Sequence, residues 1–211
     1  MIRSFAVVLL CMLVCGCAAG PPLYTSSEVA ATSLDDGGAL VGSIAYASDA
    51  QTWEHYDTYR VWIDRIDGQK NCAFLTVFDA DPKTFEIHTG GVLGNTFHAL
   101  LKPGDYQISG LNFFRNSGSG GHAINVTLPT PIRFTVRKGE TYYLGRFSAF
   151  GVRGKNFLGL PAPAGGYFEI SDAHDEDLKL LSAKAPGLNA KLAVIVPDRA
   201  LQEFIRPAST H

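Results

Sequence analysis

"INVTLPTPIRFTVRKGETYYLG", residues 124–145, decides the fold class. Ile124, Val126 and Leu128 alternate with Asn125 and Thr127, and Ile132, Phe134 and Val136 alternate with Arg133, Thr135 and Arg137. A period of two places successive side chains on opposite faces, so both runs read as strands with one face buried and one wet. Pro129-Thr130-Pro131 and Lys138-Gly139-Glu140 carry turn chemistry and mark their ends. Outward from this stretch the same vocabulary repeats. Strands are predicted over 40–47, 58–66, 72–79, 84–89, 96–101, 105–114, 141–150 and 166–171, with turns such as Asp81-Pro82-Lys83 between them. So many short strands in 211 residues exceed one open sheet with a single wet face, and two packed sheets are expected. The fold class is therefore mainly β, an antiparallel β-sandwich with a C-terminal α-helix.

The helix is placed by Asp172, a capping residue ahead of "AHDEDLKLLSAK", residues 173–184. Asp175, Glu176 and Asp177 lie at the positive end of its dipole, and Pro186-Gly187 stops it. Leu178 and Leu181, three apart, are expected to face the sheet. After the helix, "AKLAVIVP" (190–197) reads as a strand and "DRALQEFIR" (198–206) as a short terminal helix.

The N-terminus has a different character. A basic start, Met1-Ile2-Arg3, precedes an apolar run from Phe5 to Val14, about ten residues long where a membrane-crossing helix needs ~20. It reads as the core of a signal peptide. Val14-Cys15-Gly16-Cys17 then resembles the lipobox of bacterial lipoproteins. The resemblance implies that Cys17 receives a diacylglycerol, that the chain is cut after Gly16, and that the new amino group is acylated with a fatty acid such as palmitate. Ala18, where an aspartate would favour inner-membrane retention, implies the periplasmic side of the outer membrane. The expected organisation is a signal peptide over 1–16, a lipidated Cys17 with a flexible Pro-, Ser- and Gly-rich stalk to 38, a sandwich with its C-terminal extension over 39–206, and a tail over 207–211. Loss of 1–16 removes Arg3 alone among charged side chains and takes the formal charge of −2 one unit more negative, which gives no reason to expect a nucleic-acid partner.

Two stretches of the body also resemble known groups. Leu101-Lys102-Pro103-Gly104-Asp105-Tyr106 is similar to the strand-turn-strand signature of transthyretin-like and carboxypeptidase-regulatory-like domains. Phe134, Val136, Gly139, Tyr142, Tyr143 and Leu144 resemble a segment of bacterial lipoproteins of the DUF2846 type. The implied fold is a transthyretin-like (prealbumin-like) sandwich over roughly 40–150; no activity follows from it.

Chemistry is sparse. His55, His88, His98, His122, His174 and His211 are scattered without metal-ligand spacing, and no phosphate loop or nucleophile elbow occurs, so neither a metal site nor a cofactor is expected. Cys72, in the apolar "CAFLTVF", reads as a buried inert thiol. "WEHYD", residues 53–57, is the densest group of aromatic and ionisable side chains, and Trp53, His55 and Tyr56 form a candidate binding loop that stacks on a glycan or grips a protein of the envelope. The expected function is a lipid-anchored, non-enzymatic binding or structural module, with the membrane as its first partner. The alternative is a periplasmic hydrolase or metal-dependent enzyme with a site near Trp53 to Asp57, using His55 and Asp57, with or without His122, on one concave surface.

Overall fold

The computed structural model describes residues 22–48, 55–116, 118, 120–188 and 204–207. The strands are β1 (Leu23–Thr25), β2 (Gly38–Ala47), β3 (Thr58–Arg65), β4 (Ala73–Phe78), β5 (Val92–Leu101), β6 (Gly104–Asn116), β7 (Gly121–Val136), β8 (Thr141–Lys155), β9 (Pro161–Ser171) and β10 (Ile205–Pro207), with helix α1 (His174–Ser182) between the last two. They form two five-stranded sheets, ordered β1-β4-β3-β6-β7 and β10-β9-β8-β2-β5. The first is antiparallel throughout. The second is mixed, because β2 lies antiparallel to β5 but parallel to β8, and β10 lies parallel to β9. One core cluster draws Leu40, Ile44, Phe97, Leu144, Phe147 and Phe168 from the second sheet against Val61, Ile63, Leu75, Ile108, Leu111 and Phe113 from the first. The chain is thus a mainly β sandwich with a C-terminal helix.

Several sequence expectations need correction. The segment expected as a stalk is part of the domain from residue 22: β1 adds to the edge of β4, Leu23 and Val29 are buried, and Ala30 bridges to Leu101. Its apolar residues are few but spaced to reach the core, which a composition-based reading passes over. Residues 17–21, like the signal segment and Cys17, lie outside the described residues, as does the strand expected over 190–197. Residues 205 and 206, expected at the end of a terminal helix, are instead strand β10. Residues 84–89 form no strand; Asp81 Oδ1 accepts from Lys83 N (3.0 Å) to cap a 3₁₀ turn at Pro82–Thr84, and Ile87 makes one isolated bridge to Gly94. Pro129 and Pro131 do not end a strand either. Both sit inside β7, which is the edge of its sheet, at a register irregularity where Ile108 pairs with Ile132 but Gly110 pairs with Thr127. Edge strands tolerate residues that cannot donate to a ladder.

That irregularity, like one in β8, resets the alternation of side chains. In β6 the core residues are Tyr106 and Ile108 before it, Leu111 and Phe113 after it. In β8, Leu144 and then Phe147 and Ala149 reach the same core, while Tyr143 and Arg146 point to the opposite face. Gly145 between them has φ +100°, a left-handed conformation that costs a residue with a Cβ roughly 1–3 kcal/mol. A Cβ there would also stand 2.8 Å from Ile170 Cγ2. The bulge brings two polar side chains, three residues apart, onto one outer patch.

α1 covers that patch. All ten residues of β2 are buried: Leu40, Ile44 and Tyr46 face the first sheet, whereas Val41 packs with Tyr143 and Leu181, and Ala45 packs beside Leu180. Between these apolar contacts lies a polar knot centred on Asp177, which is 1 % exposed. Its Oδ2 accepts from Ser43 Oγ (2.6 Å) and from Tyr143 OH (2.7 Å), and its Oδ1 accepts from Arg146 Nε (3.2 Å) and Nη2. Arg146 Nη1 donates to Glu176 Oε2 (3.1 Å), and Ala173 N donates to Tyr143 OH (3.2 Å). Burial and then the Asp177 carboxylate push the Tyr143 phenol upward, so it remains a donor. Burial works against the charge on Arg146, but Asp177 and Glu176 hold its pKa above the usual value.

Removing one member of a buried, satisfied ion pair strands the other. Asp177→Asn is expected to destabilise the fold by ~3–5 kcal/mol in urea unfolding. Glu176→Gln, whose side chain is 44 % exposed, is expected to cost ~1 kcal/mol or less in the same measurement.

Candidate functional site

With α1 laid over β2, β5 and β8, two clefts rich in polar side chains lie at the end of the sandwich where β2, β4 and β6 finish and β3 and β7 begin. Pairings of Thr58 with both Phe78 and Phe114, and of Asn116 with Gly121, define this upper end. Beneath it the core is aromatic: Tyr59 stacks on Tyr46 (5.9 Å between centroids) and meets Tyr56 (5.8 Å) and Phe113 (6.0 Å) edgewise, and Phe113 meets Phe168 (5.9 Å). These separations fall in the favourable range for ring pairs, so the upper end has a stiff floor.

On that floor opens a cleft of about 400 Å³ lined by Tyr46, Ser48, His55, Asp57, Asp79, Leu93 and Arg115 among others. Tyr46 OH donates to Asp79 Oδ1 (3.1 Å), His55 Nε2 lies 3.5 Å from Asp79 Oδ2, and the Tyr46 and His55 rings meet edge to face at 5.1 Å. Burial and then the Asp79 carboxylate raise the Tyr46 pKa, which makes it a donor and not a base at neutral pH. Asp57 Oδ2 accepts from Asn116 N and so ties the loop before β3 to the end of β6. Ser48 Oγ donates to the Gly91 carbonyl (3.0 Å). The cleft offers donors, acceptors and both signs of charge beside an aromatic edge.

The sequence candidates divide here. His55 lines the cleft, and Trp53 lies outside the described residues. Tyr56, expected on a binding rim, is fully buried; its hydroxyl accepts from Gly165 N (2.9 Å) and its amide donates to Tyr59 OH (3.1 Å). Its position next to His55 in sequence concealed that the chain turns into the core there. His122 lines a second cleft of about 800 Å³ with Arg115, Asn116, Lys155 and Asn156, so His55 and His122 occupy separate clefts with Arg115 shared between them. His55 and Asp57 thus share one cleft, and His122 does not join them there. No group of three His, Cys, Asp or Glu side chains among the described residues is disposed to hold a metal ion. Cys72 is buried, its Sγ donating to the Ile63 carbonyl (3.4 Å), and burial followed by Asp64 pushes the thiol pKa up. Tyr46, Asp79 and Arg115 were not legible as site residues, because three distant strand ends supply them.

At the lower end, the turn Leu101 to Tyr106 joins β5 to β6 across the two sheets, and Tyr106 OH donates to the Lys102 carbonyl (2.8 Å), the bond of a tyrosine corner. No protein-family model, curated protein or solved structure matches the chain.

The placements of Tyr56 and His55 separate a structural role from a surface one. Tyr56→Ala is expected to cost ~3–5 kcal/mol in chemical unfolding, as a large core truncation does. His55→Ala is expected to cost ~0.5–1.5 kcal/mol, the worth of one ring contact.

Proposed function

We propose that this protein is a lipid-anchored envelope protein: an acylated Cys17 holds a non-enzymatic β-sandwich at the periplasmic face of the outer membrane. The observation that carries the reading is the succession of a basic start, a ten-residue apolar run from Phe5 to Val14 and Val14-Cys15-Gly16-Cys17. The sandwich serves as a binding or bracing module, and the cleft of Tyr46, His55, Asp79 and Arg115 is the surface it offers to an envelope protein or glycan. Its combination of hydrogen-bonding groups and an aromatic edge over a rigid floor supports that choice. The likeness to DUF2846-type lipoproteins and transthyretin-like domains belongs to the same proposal. The hydrolase or metal-enzyme reading near residues 53–57 has less support, since Ser48 and Asp57 are engaged structurally and His122 belongs to another cleft.

Each buried methylene of an acyl chain contributes ~0.8 kcal/mol, so two or more chains attach a protein stably. Cys17→Ser is expected to move the protein from the membrane pellet to the soluble fraction of disrupted cells. Retention of the variant in the pellet after a high-salt wash would overturn the proposal.

A further inference from the structure

The β8–β9 hairpin projects beyond the upper end, past the last strand pairs that face the core. Its tip is apolar in a way no other described loop is: Phe157 is 95 % exposed, Leu158 65 % and Leu160 56 %. Three large apolar side chains held in water are unfavourable, and such patches mark contact surfaces. The tip is also rigid. Asn156 Oδ1 accepts from Leu158 N (3.0 Å) and Leu160 N (3.0 Å), while Asn156 N donates to the Leu160 carbonyl (2.9 Å). Phe157 is therefore presented at little further cost in order.

Basic side chains lie beside the tip. Lys155 begins the turn, and Arg115 and His122 line the adjoining cleft between this hairpin and the β6–β7 hairpin. An apolar tip with Lys155 and Arg115 beside it matches a lipid surface, with acyl chains beneath anionic headgroups. The route of the chain gives the orientation. β1 runs antiparallel to β4 with Leu23 opposite Leu75, and Thr76 N donates to the Pro22 carbonyl, so the chain enters β1 from the upper end. Cys17 is five residues before Pro22, a reach of at most ~18 Å. The described chain thus enters the sandwich from the end that carries the apolar tip.

We propose that the β8–β9 tip is a second membrane contact, in which Phe157, Leu158 and Leu160 enter an anionic phospholipid surface and Lys155, Arg115 and His122 face its headgroups. The orientation rests on the lipid-anchor reading, while the chemistry of the tip does not. Docked in this way, the sandwich stands end-on to the bilayer, with both broad faces pointing sideways.

The full chain, reconstituted in phosphatidylethanolamine and phosphatidylglycerol vesicles with brominated acyl chains, tests it through tryptophan quenching. Phe157→Trp is compared with Ile66→Trp, an exposed site at the opposite end in the β3–β4 turn, after subtraction of the parent signal from Trp53 and Trp62. The indole introduced by Phe157→Trp is expected to be quenched at least twofold more strongly than that from Ile66→Trp. Equal quenching, or no association with the vesicles, would overturn the proposal. Mass analysis of the N-terminal peptide of the same sample separates the two readings. Acylation without selective quenching leaves the anchor and removes the tip, and selective quenching without acylation does the reverse.

Discussion

A single carboxylate organises the second sheet. Asp177 receives the hydroxyls of Ser43 and Tyr143 and the guanidinium of Arg146 from the two parallel strands β2 and β8, and it does so from a helix lying across them. A buried charge is tolerated only when paired and fully hydrogen-bonded, and here Tyr143, Ser43 and Arg146 fill that requirement together. The arrangement depends in turn on Gly145. Without the bulge, Tyr143 and Arg146 would lie on opposite faces of the sheet, and one of them would enter the apolar core. Gly42 makes room on the facing strand, where a Cβ would stand 2.6 Å from the Gly145 carbonyl oxygen.

This closure has a functional consequence. Burying both faces of β2 takes the part of the sheet's outer face under α1 out of contact with solvent. The upper end gathers the cleft of Tyr46, His55 and Asp79, the adjoining cleft of Arg115 and Lys155, the apolar tip at Phe157 and the entry of the chain into β1. Both clefts share Arg115, so one side chain belongs to the ligand-facing and headgroup-facing parts of that end. An anchored protein that meets its membrane through this end would carry its ligand cleft beside the bilayer, where glycans and envelope proteins rooted in the same membrane lie within reach.

Much of the fold was legible because sheet burial imposes a period of two, as in residues 124–128 and 132–136, and because Leu178 and Leu181 announce a helix with one apolar side. What was hidden follows from chain topology. The parallel pairing of β2 with β8 has no sequence signature, since each strand looks the same whichever neighbour it takes. Asp177 read as a charge compensating a helix dipole, as its neighbours Asp175 and Glu176 are; only the placement of α1 over Arg146 makes it a buried ligand of that arginine. The prolines of β7 read as a turn because proline ends most strands, and an edge strand at an irregular register escapes that rule. For the site, His55 lines the cleft with its side chain 20 % exposed, but Tyr56 beside it turns inward, and a loop sequence does not reveal where the core begins.

The central claim, that a sandwich closed by Asp177 hangs from a lipid at its upper end, is tested most directly by mass spectrometry of the N-terminal peptide of protein purified from cell envelopes. The account predicts a peptide that begins at Cys17 and carries a thioether-linked diacylglyceryl group and an amide-linked acyl chain. A peptide that begins elsewhere, or one that begins at Cys17 with a free thiol, would contradict it.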